Sequence, residues 1–345
     1  MKQSRIFSVA VASAAVIGSV VAVSGTANAA FDPETADRVT TNAQLGQEVP
    51  GTPYPATGWF QGAVTAPAGT VTFDGAGLNS AGGNVQLLNA YDAPASTLTD
   101  LVVDADFFSI GDATFQVPIF ANSTGTGTQF TTLRPVATGD EGFTPTSQWV
   151  TSQALGTYAA GAVATLAEFQ AQIAVIDAAG DQAAAATILA YGFITPSPLT
   201  SSVQGVAFGA ESTYFTPEPE GTYVPQTLTV TQVSTTGIDV EGTGFFPNES
   251  LTVYFTSVNS QSSGDQDVVL VADAQGRVSG NVVISATDVQ GPGTYSIVLA
   301  GDVSGVALTG SVTITADAVV APVPVPAGPT APVAVPVRAN AAFTG

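Results

Sequence analysis

Chemistry in this chain has to be run by oxygen. The 345 residues contain no histidine and no cysteine, and Lys2 is the single lysine. Zinc, haem and iron–sulfur centres therefore lack their usual ligands, and neither a Ser-His-Asp nor a Cys-His constellation can be assembled. Schiff-base catalysis and lysine-to-asparagine cross-links fall with the lysines. Carboxylates, hydroxyls and a few arginines remain. Asp104 with Asp106, and Asp265 with Asp267, stand two apart, so on a strand end each pair projects to one side. Glycoside hydrolysis needs only an acid and a base or nucleophile roughly 5 to 10 Å apart, and the same oxygens suit Ca²⁺. Aspartate between strands more often builds a turn, the reading preferred here for both pairs. Asp74-Gly75-Ala76-Gly77 lacks the alternating acids and terminal glutamate of an EF-hand and also reads as a turn.

Aromatic faces stack on sugar rings, which brings Trp59, Phe60, Phe107, Phe108 and Trp149 forward as carbohydrate-binding candidates. Large aromatics also dominate sandwich cores, and core packing is the favoured reading for both tryptophans. Phe107 and Phe108 are adjacent, so on one strand they face opposite ways, and one is expected at an edge or exposed.

The elements that must position these groups are mostly strands. Val71 to Phe73, Val85 to Leu88, Thr97 to Val103, Thr114 to Phe120, Thr128 to Leu133 and Gln148 to Ser152 are short runs rich in Val, Phe, Thr, Ile and Leu, punctuated by Gly, Asn, Asp and Pro. Thr165 and Glu168 form a capping box, and Leu166, Phe169, Ile173 and Ile176 recur at helical spacing, so one helix is predicted near 165–178. Ile188 to Ile194, Val203 to Phe208 and Thr213 to Phe215 return to strand. Pro217-Glu218-Pro219-Glu220 reads as a hinge. From 223 to 316, seven strands are predicted (Thr227 to Val233, Gly237 to Gly242, Glu249 to Ser257, Asp267 to Ala272, Arg277 to Ser285, Gly293 to Leu299, Ser311 to Thr315), the number and spacing of an immunoglobulin-like sandwich. The expected fold is all-β: a sandwich over 30–222 with one inserted helix, then an Ig-like sandwich over 223–316.

Both ends carry other signals. Lys2 and Arg5, the apolar run Ile6 to Val23 and Ala27-Asn28-Ala29 make the pattern of a secretory signal peptide over 1–29. A retained membrane anchor fits less well, because serines and glycine dilute the run. Residues 317–338 are nearly all Ala, Val and Pro, which favours polyproline II at roughly 3.1 Å per residue and reads as a stalk rather than a docking motif. Past the signal, four arginines (Arg38, Arg134, Arg277, Arg338) face 27 acids, a net charge of 4 − 27 = −23. Four scattered cations cannot neutralise a phosphate backbone, so nucleic acid and anionic membrane surfaces are excluded as partners. An exported chain without cysteine gets no disulfides, so stability must come from buried cores.

Val240-Glu-Gly-Thr-Gly-Phe-Phe-Pro-Asn-Glu-Ser-Leu-Thr-Val, Ala272-Asp-Ala-Gln-Gly-Arg-Val-Ser-Gly and Gly291-Pro-Gly-Thr-Tyr-Ser-Ile-Val-Leu resemble the Ig-like modules of actinobacterial secreted proteins. The resemblance covers about a quarter of the chain and implies a fold without a catalytic motif. Phe130-Thr-Thr-Leu, Trp149, Thr165-Leu-Ala-Glu-Phe, Ile188-Leu-Ala-Tyr-Gly-Phe and Val203-Gln-Gly-Val-Ala-Phe-Gly are similar to uncharacterised extracellular sandwich domains from such organisms. Gln204 stands where those domains often carry aspartate, which argues against a shared polar site there. Ala341-Ala-Phe-Thr344-Gly345 resembles the end of a sortase signal, with alanine in place of leucine; a chance Thr-Gly explains five residues equally well.

These observations predict a non-enzymatic extracellular or cell-wall-associated surface protein, adhesive or ligand-binding, with the cell wall or an extracellular glycan as partner. No cofactor is expected, with Ca²⁺ at the aspartate pairs as the one candidate ion. A released carbohydrate-binding protein and a carboxylate-only glycosidase are the alternatives.

Overall fold

The computed structural model describes residues 35–49, 54–121, 129–136, 143–179, 185–224, 227–257 and 263–318, with side chains left undescribed at 129, 257 and 263–267. The signal peptide, the stalk from residue 319 onward and Thr344 with Gly345 lie outside the described residues.

The fold is all-β, two sandwiches in sequence. The first contains β1 (Asp37–Arg38), β2 (Gly46–Gln47), β3 (Trp59–Gln61), β4 (Thr70–Asp74), β5 (Gly77–Ala81), β6 (Val85–Pro94), α1 (Leu98–Val103), β7 (Asp106–Gly111), β8 (Thr114–Ala121), β9 (Gln129–Pro135), β10 (Gln148–Thr151), β11 (Val163–Thr165), α2 (Leu166–Ala179), β12 (Thr187–Thr195), β13 (Ser201–Phe208) and β14 (Glu211–Tyr214). One sheet runs β1-β14-β13-β5-β4, with β7 also on β13; the other runs β11-β10-β9-β8-β12-β6-β3-β2. Leu78, Val203 and Phe107 from the first meet Leu87, Phe115 and Phe193 from the second in a single apolar core. Three buried hydroxyls also tie the sheets: Ser80 and Ser201 lie 2.8 Å apart, and Thr195 lies 2.8 and 2.7 Å from them.

The predicted helix is α2. Its capping box closes as the sequence implies: the Thr165 amide donates to Glu168 Oε2 at 2.8 Å, and the Glu168 amide donates to Thr165 Oγ1 at 3.2 Å. The run Thr97 to Val103, expected as a strand, is instead mostly the short helix α1, so the described residues of this sandwich carry a second α-helix beside the predicted one. Its buried residues are Leu98 and Val102, four apart, while Val103 is exposed; that is helical spacing. Trp59 and Trp149 are core residues, 5 % and 0 % exposed.

The second sandwich contains β15 (Glu220–Val224), β16 (Thr227–Thr229), α3 (Val230–Thr235), β17 (Ile238–Thr243), β18 (Ser250–Ser257), β19 (Ser263–Val271), β20 (Val278–Val282), β21 (Gly293–Gly301) and β22 (Ala307–Thr315). Its sheets run β15-β17-β20 and β16-β22-β21-β18-β19. Two expectations are corrected. The run Thr227 to Val233 gives only three residues of strand before α3, because Thr229 caps a helix with Gln232, whose amide donates to Thr229 Oγ1 at 3.2 Å. An extra strand, β15, starts inside the expected hinge, pairing Glu220 with Thr243.

The hinge itself is tied down. Arg38 Nη1 donates to the carbonyls of Thr216 and Pro217 at 3.1 and 2.9 Å, its Nε lies 3.1 Å from Glu218, and its guanidinium sits 4.7 Å over the Tyr214 ring. Tyr214 is fully buried within the second core and donates its hydroxyl to the Ser304 carbonyl. Phe108 stacks on Phe246 with centroids 4.8 Å apart. The neighbours Phe107 and Phe108 do face opposite ways, one into the first core and the other across the junction, so neither forms an exposed platform.

Candidate functional site

The predicted aspartates do not converge. Asp104 is exposed and ends α1, whereas Asp106 opens β7 opposite Ala207 and accepts the Phe107 amide at 2.9 Å. A helix end separates them, so strand periodicity does not align the pair. Asp265 lies on β19 opposite Tyr254, and Asp267 follows on that strand; both side chains are outside the described residues. Among the described residues no three Asp or Glu side chains gather as a metal cluster. A Ca²⁺ ion held by the folded chain would raise the melting temperature by mass action. The placement of Asp104 and Asp106 predicts no shift from that pair, so the double replacement Asp104→Asn with Asp106→Asn should leave the difference between melts in millimolar Ca²⁺ and in chelator unchanged.

Asp74 forms the expected turn, accepting the Ala76 amide at 2.8 Å. Gln204 is fully buried and donates to the Ala76 carbonyl at 2.8 Å, a structural tie to that hairpin. Phe60, like the tryptophans, is fully buried and packs with Leu88 and Ala190 beneath Tyr54, whose phenol is pushed up to about 12 by burial first and by Glu48 second.

A cleft of about 410 Å³ opens where the edge of β1 and β14 meets the other sheet. Cross-strand register builds its floor. Asn89 on β6 lies opposite Tyr191 on β12 on one side and opposite Trp59 on β3 on the other, so three side chains form one row across the sheet. On β14, Glu211 and Thr213 share a face, being two apart. The row and the pair meet: Tyr191 Oη donates to Glu211 Oε2 at 3.1 Å, and Trp59 Nε1 donates to Thr213 Oγ1 at 3.0 Å. Asn89 Nδ2 donates to Tyr191 Oη at 2.7 Å. Its orientation follows from the chain, because an ionised Glu211 only accepts, the phenol must donate to it, and the group facing the phenol oxygen must then be the amide NH₂.

Charge in the cleft is set by burial and proximity. The Glu211 carboxyl is held above the usual carboxylate range, first by burial and further by Asp37, with the Tyr191 hydrogen bond pulling the other way. Burial raises the Tyr191 phenol strongly and the Glu211 charge adds to it, so that hydroxyl stays a neutral donor. The arrangement can orient and bind a polar group through Glu211, Asp37 and Asn89, which line one cleft. Asp37, Asn89, Tyr191 and Glu211 were missed in the sequence because four strands supply them. The one available signal was a polar residue interrupting each apolar run, Asn89 after Leu87-Leu88 and Tyr191 after Leu189-Ala190.

No protein-family model matches the chain, and none of the curated proteins matches it. No helix among the described residues is long and apolar enough to cross a membrane.

Proposed function

We propose that the chain is a non-enzymatic extracellular or cell-wall-associated surface protein that holds a ligand-facing sandwich away from the wall. The observation that carries this is the tied junction. Arg38, Tyr214, Phe108 and Phe246 knit the first sandwich to the second, so the two act as one stiff body instead of beads on a flexible string. The signal-peptide pattern, the resemblance of the second sandwich to Ig-like modules of actinobacterial secreted proteins and the Ala/Pro/Val-rich tract support the placement. A stiff body carried on a tract whose proline-rich composition favours extension is a display device.

Cell fractionation tests it. The protein should be found in the wall fraction, and release by muramidase but not by hot detergent would mark a covalent joint, whereas release by detergent would mark a non-covalent one. Finding all of it free in the culture medium would overturn the proposal.

A further inference from the structure

Acceptors and donors are unevenly spent in the cleft between β1, β14 and the Trp59–Asn89–Tyr191 row. Asn89 is 7 % exposed, gives its NH₂ to Tyr191 and leaves Oδ1 without a partner among the described residues on the cleft wall. Glu211 engages Tyr191 through Oε2 alone, leaving Oε1 open. The Asp37 carboxylate has no hydrogen-bond partner among the described residues and lies near enough to Glu211 to raise its pKa. Of the lining side-chain donors, Trp59 Nε1 is engaged with Thr213, Gln44 Nε2 with the Arg38 carbonyl, and Arg38 Nη1 and Nε with Thr216, Pro217 and Glu218. Glu218 also offsets the arginine charge.

We propose that this cleft binds a primary ammonium group, carried by an amino sugar or by a lysine side chain. An ammonium offers three donors and one positive charge, matching three open acceptors and two neighbouring carboxylates. A neutral hydroxyl supplies donors but leaves the repulsion between Asp37 and Glu211 in place. Ca²⁺ requires six to eight oxygens, more than these side chains present. The proposal deepens the ligand-facing part of the function given above and does not depend on where the protein is anchored.

The charged and titratable groups around Glu211 are Asp37 and Arg38 on β1, Tyr91 on β6 and Tyr191 on β12. Both phenols are raised and stay neutral donors between acid and neutral pH, which leaves the raised Glu211 carboxyl to set the pH dependence. Affinity for a protonated amine should therefore climb as pH rises through the elevated value of Glu211 and level off once it is ionised.

Titration of the purified full chain with glucosamine and with Nα-acetyl-lysine amide, followed by calorimetry or amide chemical shifts, tests this. N-acetylglucosamine and the Nα,Nε-diacetyl lysine amide serve as uncharged controls. Binding of at least one amine near about 1 mM is expected, about tenfold or more tighter than its acetylated control, and the tighter of the two amines identifies the source. Glu211→Gln should weaken it about tenfold at pH 7 and flatten the pH profile, with Asp37→Asn weakening it about threefold, since a charge-assisted bond is lost in each. The Asp37 carboxylate makes no hydrogen bond among the described residues, and its backbone pairing with β14 survives the substitution, which keeps that variant informative if Glu211→Gln melts early. Equal binding of the acetylated controls, no binding by either amine up to about 50 mM, or full affinity in both folded variants would overturn the proposal. A negative result here would leave the fractionation result standing, so the two failures are distinguishable.

Discussion

Replacing Glu249 by alanine is expected to lower stability by about 3 kcal/mol or more, because three backbone donors lose their acceptor at once. Glu249 belongs to the Phe-Phe-Pro-Asn-Glu stretch and is 4 % exposed. Its Oε1 accepts the Phe246 amide at 2.6 Å, and its Oε2 accepts the Val303 and Ser304 amides at 3.1 and 2.9 Å. It thereby shapes the loop after β21 whose Ser304 carbonyl receives the Tyr214 hydroxyl. Burial nonetheless raises its carboxyl above the usual range, outweighing the Ser304, Phe246 and Val303 hydrogen bonds that act downward. A carboxyl raised in the folded state binds its proton more tightly there than in the unfolded chain. The proton-linked part of its contribution is complete below the unfolded value of about 4.3 and is lost as pH rises through the folded one, while the three amide hydrogen bonds remain at neutral pH. Urea denaturation of wild type, Glu249→Ala and Glu249→Gln across pH 4 to 8 checks both points: alanine should shift the midpoint strongly at neutral pH, and glutamine should remove the decline with pH. An alanine variant as stable as wild type would show that water replaces the carboxylate without cost.

The second expected result is a single calorimetric transition for the full chain, together with a lower melting temperature for a fragment spanning 220–318. That fragment keeps both sheets of the second sandwich but loses Phe108, Tyr214 and Ala36, which pack against its core. Stripping two aromatic contacts uncovers Phe246 and leaves the Ser304 carbonyl unpaired, together about 3 kcal/mol. For a domain of this size that corresponds to about 10 °C or more. Phe108→Ala in the full chain should reproduce about half of the loss without touching either sheet. Two separate transitions, with the later one unaffected by Phe108→Ala, would mean the sandwiches are energetically independent despite their contacts.

The sequence alone determined the fold class and most of the strands. Alternation and turn residues are local properties, which is why β4, β8, β10, β12 and β18 were legible. The helix α2 was legible for the same reason, since Thr165 and Glu168 need only each other. Elimination of histidine, cysteine and lysine chemistry needed no structure at all. Short segments with two competing local signals were misread. The β-branched and apolar composition of Thr97 to Val103 suits a strand, whereas Leu98, Leu101 and Val102 recur at helical spacing, and burial of Leu98 with Val102 decided for α1. Thr229 and Gln232 cap α3 inside a run of β-branched residues. Tertiary structure alone decided the rest. Pro217 to Glu220 carries the composition of a hinge, but Arg38, some 180 residues earlier, ties it down. Phe108 had to face away from Phe107, yet only the second sandwich determined what it would meet there. The cleft joins residues 37, 89, 191 and 211 through strand register between two sheets. Register between distant strands is a global choice set by the whole buried face, so no local pattern could announce that Asn89, Glu211 and Asp37 would meet.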